Sequence, residues 1–82
     1  MNKDKILEII KEIAIDILDT EEPESFYMDE KSAIDSFDAW DSLAHINIIT
    51  QLEAEFSIKF TLDEVESFET INDILRVILS RQ

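Results

Sequence analysis

From Asp4 to Leu18, the apolar residues Ile6, Leu7, Ile9, Ile10, Ile13, Ala14, Ile17 and Leu18 recur near the helical period of about 3.6. Lys3, Asp4, Lys5, Glu8, Lys11 and Glu12 fill the other face, and Asn2 stands where an N-cap belongs. The isoleucines are β-branched, so this helix is expected to depend on packing rather than on intrinsic propensity. A second helix is predicted over 42–56. Asp41 sits at its N-cap, where a carboxylate also suits the positive helix end. A short third helix is predicted over 62–68, announced by the capping-box pattern from Thr61 to Glu64. A fourth begins after Thr70, with Asp73 at its third position, and continues through Ile71, Ile74, Leu75, Ile78 and Leu79. No alternation of β-branched and polar residues argues for a sheet. The chain has no glycine, so helix ends are expected to use Ser57, Asn72 or water where a left-handed glycine is commoner.

Residues 19–41 break the periodicity. Asp19 to Ser25 is polar and holds the only proline, Pro23. Short apolar groups follow at Phe26 to Met28, Ala33 and Ile34, and Phe37 to Trp40. The pattern predicts a long loop pinned to the bundle by these anchors. Loops longer than about 12 residues without regular structure are uncommon and often functional. The fold class is therefore all-α: four helices, the third short, with a long connection before the second.

Length and composition narrow the function. Eighty-two residues allow one domain over 1–82 and one modest core, with little volume for an elaborate active site. The absence of cysteine removes disulfides, thiolate nucleophiles and Cys-based metal sites. No apolar run approaches the roughly 18 residues of a membrane span, and the first residues alternate Lys, Asp and Glu rather than forming a signal peptide. These features predict a cytoplasmic protein without membrane insertion. The net charge of −13 repels nucleic acid and favours basic protein partners. It is unevenly spread: from Glu12 to Ile58 Lys31 is the only lysine or arginine. A solvated face kept for solubility explains this as well as a docking surface does.

On a helical wheel of the second helix, Ile48, Ile49, Leu52 and Phe56 form the core stripe. Leu43 lies almost opposite and Ile46 well to one side, so both are predicted to be exposed beside Ser42 within an acidic rim. Either they form a docking surface or they pack under the long loop. A serine at a helix N-terminus suits attachment of a phosphate, because unpaired N–H groups and the helix dipole favour the anion. Ordinary capping beside Asp41 is the alternative for Ser42.

Asp41-Ser42-Leu43, after Trp40 and opening an apolar-periodic helix, resembles the attachment motif of acyl carrier proteins. The register extends the resemblance: Leu52 to Phe60 is similar to the family's leucine, acidic run, phenylalanine and alternating apolar pair. Asp63 to Ile74 is similar to its short third helix and threonine-led fourth. The likeness covers almost the whole chain, most clearly 35–79. It implies a four-helix carrier whose Ser42 receives 4'-phosphopantetheine from coenzyme A, through a magnesium-dependent phosphopantetheinyl transferase. The arm's thiol would bear acyl groups as thioesters. The resemblance also implies a monomer without catalytic or metal residues, met by acyl-handling enzymes with basic docking surfaces. Asp41 would guide the transferase. Leu43, Ile46, Asp35, Asp38, Glu53 and Glu55 would complete the recognition surface.

Four departures stand out. Ala44 and Asn47 occupy positions that are often acidic, which points away from standard fatty-acid synthase partners. A specialised carrier, in a secondary-metabolite, lipid or surface-glycan pathway, is the expectation. Trp40 replaces a small residue, Ser57 and Thr61 stand where Gly and Pro are common, and His45 replaces a small polar residue near the core stripe. Asp35-Ser36-Phe37 repeats the motif six residues upstream, but the downstream register fits Ser42. A lone histidine beside a core stripe reads as structural, and Trp40 as a loop anchor. Asp35, Asp38 and Asp41 lack the glycine and later glutamate of a calcium loop. An aminoacyl or peptidyl carrier with the same arm is the nearest rival. A cofactor-free acidic adaptor is the rival from another class.

Overall fold

The computed structural model describes residues 2–18 and 26–81. Among them are four α-helices: α1 (Lys3–Leu18), α2 (Ser42–Phe56), α3 (Leu62–Ser67) and α4 (Ile71–Ser80). The part of the predicted loop over 19–25 lies outside the described residues.

Local signals set the helix starts. Asn2 caps α1 by accepting the Lys5 N–H on Oδ1 at 2.8 Å. Thr61 and Thr70 both sit in capping boxes, closed reciprocally by Glu64 and Asp73. At the far end of α2, Ser57 takes the left-handed conformation (φ 54°, ψ 45°) and donates its N–H to the Glu53 carbonyl. Ser57 therefore does what glycine usually does, as expected. Asn72 does not: it lies inside α4, and its N–H reaches back to the Glu30 carbonyl at 2.8 Å.

Packing fixes the rest. The fully buried large side chains come from α1 (Ile6, Ile10), α2 (Ile48, Leu52) and α4 (Ile71, Ile74, Leu75, Ile78). On α1 the buried positions Ile6, Ile10, Ala14 and Leu18 follow one another every fourth residue. Leu7, Ile9, Ile13 and Ile17 flank this stripe, half-buried against the core. Helix α1 packs on both α2 and α4. Helix α3 buries no residue and rides on the rim of this three-helix core.

The second half of the loop is tied down by backbone rather than by a sheet. Ala33 and Thr70 form one isolated antiparallel bridge. Ile34 N–H meets the Glu69 carbonyl at 2.9 Å and Ile71 N–H meets the Ser32 carbonyl at 3.0 Å. The donors of Ile71 and Asn72 are among those a helix start leaves unpaired, so the loop completes α4. A short 3-10 turn at Ile34–Ser36 follows, and Met28, Ile34 and Trp40 anchor the loop in the core.

One surface contact has a pH signature. Both oxygens of Glu64 accept from the Arg81 guanidinium, at 2.8 and 2.6 Å, and one also accepts the Thr61 N–H at 2.8 Å. Arg81 first, then the Thr61 backbone, lowers the Glu64 carboxyl from its ordinary 4.5 to about 2. A depressed carboxyl contributes its stability above its unfolded value and loses it as pH falls toward the folded one. Between pH 4.5 and about 2, the melting temperature of wild type is therefore expected to fall more than that of Glu64→Gln. Relief of the −13 net charge acts on both proteins, so the difference between them isolates the pair. Parallel curves would show that Glu64 adds nothing.

Candidate site at the head of the second helix

Asp41 ends the loop in an extended conformation and places Oδ1 2.8 Å from the Ala44 N–H. Its carbonyl accepts the His45 N–H at 2.9 Å. The cap is thus Asp41, and Ser42 is the first helical residue, exposed to solvent. Capping leaves the Ser42 hydroxyl free for other use. The N–H groups of Ser42 and Leu43 precede the first intrahelical bond, so they face outward. The upstream alternative differs: the Ser36 hydroxyl donates to the Ala33 carbonyl at 2.6 Å, within its own 3-10 turn.

Ser42 borders an open cleft of about 370 Å³ between α2 and α3. Helix α2 contributes Ser42, His45 and Ile46; α3 contributes Leu62, Val65 and Glu66. Phe68 and the loop residues Ile34, Asp35, Trp40 and Asp41 complete the lining. Across this cleft the His45 ring makes two bonds. The Trp40 indole N–H donates to Nδ1 at 2.9 Å, and Nε2 lies 3.0 Å from the Val65 carbonyl. An indole only donates and a carbonyl only accepts, so the ring is the neutral form with its proton on Nε2. Both ring nitrogens of His45 therefore have partners, and Trp40 is a buried loop anchor.

Three apolar side chains stand exposed in this region: Leu43 (71% exposed), next to Ser42 in sequence, and Ile46 (52%) and Leu62 (70%), which line the cleft. The helical wheel foresaw the exposure of the first two, and the described part of the loop does not cover them. Leu62, Val65 and Glu66 escaped the sequence reading. Their signal was available: two apolar residues on a helix too short to bury its own face.

The acidic candidates separate into groups. Asp35 and Asp41 line the cleft with Ser42. Asp38 is exposed on the intervening loop. Glu53 and Glu55 lie eleven and thirteen residues along α2, roughly 16 to 20 Å from Ser42 at the helical rise. The Glu53 carboxylate accepts the Phe60 N–H at 2.9 Å, and Glu55 stands near Ala54 and Ile13 of α1. Those two are not brought together with Ser42. Ala44, at an often acidic position, is 8% exposed and packs in the core. No cluster of His, Asp or Glu suited to a metal occurs among the described residues. No described helix is long and apolar enough to cross a membrane.

Residues 4–78 match the family model described as "Phosphopantetheine attachment site". An acyl carrier protein of Thermosynechococcus vestitus is 36% identical over 92% of this chain and 89% of its own. One from Petrotoga mobilis is 31% identical over 95% of this chain and 88% of its own. The solution NMR structure of a holo acyl carrier protein from Geobacter metallireducens superposes with a TM-score of 0.76. It shares 29% identity and covers 92% of this chain and 86% of that one.

Proposed function

Because the chain belongs to the phosphopantetheine attachment site family, we propose that it carries acyl groups on a 4'-phosphopantetheine arm esterified to Ser42. The arm supplies, when bound, a terminal thiol that holds cargo as a thioester. The residues present fit that group. The Ser42 oxygen is exposed and relieved of capping by Asp41, and the outward N–H groups of Ser42 and Leu43 favour an adjoining phosphodiester. The cleft beside Ser42 has exposed apolar walls at Ile46 and Leu62, and Leu43 stands exposed next to Ser42, for partner enzymes to cover. Asp35, Asp41 and Glu66 line it with negative charge, which complements basic docking surfaces and speeds encounter. Asp38 extends that charge onto the loop. In this reading the protein is a cytoplasmic monomer and a substrate of the transferase and acyl-handling enzymes, not itself a catalyst.

The observation that carries the proposal is the division of labour at the helix start. Asp41 does the capping, and the exposed first-turn serine keeps its hydroxyl out of the cap at the edge of a cleft. The chain, incubated with coenzyme A, magnesium and a broad-specificity phosphopantetheinyl transferase, is expected to gain one arm. Fragmentation of the digested product should place it on the peptide containing Ser42. Placement on Ser36, or no gain by folded protein, would sink the assignment.

A further inference from the structure

The cleft beside Ser42 stops short of the fully buried centre of the core. Its most buried walls are Ile34, Trp40 and Phe68, with the half-buried His45 between the last two, while the fully buried Ile48, Leu52 and Leu75 take no part in its lining. Trp40, His45 and Phe68 form a row of rings along it. The ring centroids of Trp40 and His45 lie 6.1 Å apart and those of His45 and Phe68 6.4 Å apart. Phe37 and Phe60 extend the row at its two ends.

Within the row His45 is fixed from opposite sides, by the loop through Trp40 and by α3 through Val65. An apolar chain moving inward from Ser42 has to part this bridge. It would take from the part-buried Trp40 N–H and Val65 carbonyl the partner each has in His45, and methylene groups offer no replacement bonds. A short cargo stays outside the row. A polar cargo brings donors and acceptors of its own.

We propose that His45 is a specificity-determining residue. It closes the α2–α3 cleft against long apolar chains and reserves the carrier for short or polar acyl groups held at the mouth. The inference rests on Ser42 as the attachment point. It goes further by assigning the cargo class to a residue twenty positions in sequence from its α3 partner.

The test loads wild type, His45→Ala and Trp40→Phe with butyryl or octanoyl phosphopantetheine from the acyl coenzyme A. Mass spectrometry verifies attachment, and backbone amides are followed by 15N NMR. In wild type both groups are expected to shift the amides of Ser42, Ile46 and Val65. Those of Ile48, Leu52 and Leu75 should stay in place. In His45→Ala the octanoyl group should shift the inner three as well and slow thioester cleavage by hydroxylamine several-fold. Trp40→Phe keeps a ring but removes the donor, and should admit octanoyl too. Octanoyl shifts at Ile48 and Leu52 in wild type would overturn the inference whether or not a variant folds. So would two folded variants that keep octanoyl outside. A folded wild type that takes no arm at Ser42 overturns the attachment reading instead, so the two failures are distinct.

Discussion

Ser42→Ala is expected to take up no phosphopantetheine under conditions that load wild type completely. The loss is chemical, since alanine has no oxygen to bond the phosphorus. The fold should not share in it. The helix start is held by Asp41 through the Ala44 N–H at 2.8 Å, and that bond survives the substitution. Ser42 is exposed, and surface changes away from such contacts stay within about 0.5 kcal/mol. Intact mass and a thermal melt on one sample therefore separate function from stability. Asp41→Ala is a poorer probe, because it removes the cap and costs about 0.5–2 kcal/mol along with any effect on recognition. Ser36→Ala is the control and should load like wild type, losing only a local bond to the Ala33 carbonyl. An arm retained by Ser42→Ala and lost by Ser36→Ala would move the site to the loop.

What the sequence disclosed, and what it withheld, follows from the range of the interactions. Asn2, Asp41, Thr61 and Thr70 all cap as expected, because a cap joins residues three apart and its pattern is written locally. The exposure of Leu43 and Ile46 came from angular position on one helix, which periodicity records. The bridge from Trp40 through His45 to Val65 was not legible. It joins three segments, and no periodicity predicts that a loop indole and an α3 carbonyl meet one imidazole. The same holds for the loop segment from Glu30 to Ile34, whose backbone completes α4 from forty residues away. Asn72 looked like a helix end because of its residue type, but the capping box at Thr70 had already started α4 before it. The acidic surface illustrates the limit most directly. The resemblance grouped Glu53 with the residues around Ser42, and only the fold shows that its carboxylate holds the Phe60 N–H at the other end of α2.

Leucine-to-alanine changes at two positions of α2 are expected to fail in opposite ways. Leu52 is 0% exposed, in the core shared with α1 and α4. Its truncation removes buried methyl groups and leaves a cavity, costing about 2–5 kcal/mol. A domain of this size has a total stability of only about 4–12 kcal/mol, at roughly 0.05–0.15 kcal/mol per residue. At about 4–8 °C per kcal/mol, the melting temperature should fall by roughly 8–40 °C. Leu43 carries the same side chain at 71% exposure on the opposite face, and its truncation should leave the melt almost unchanged. Loading should respond the other way. Leu43 stands exposed next to Ser42, on surface a transferase must cover, and losing about 1.4 kcal/mol of contact there slows loading roughly tenfold. Leu52→Ala, assayed well below its lowered melting temperature, should load at nearly the wild-type rate because the surface around Ser42 is intact. Melts and initial loading rates on the two variants decide this. A large loss of stability in Leu43→Ala would mean that the residue is packed rather than presented. A loading defect confined to Leu52→Ala would mean that the geometry at Ser42 depends on the core beneath it more than on the rim around it.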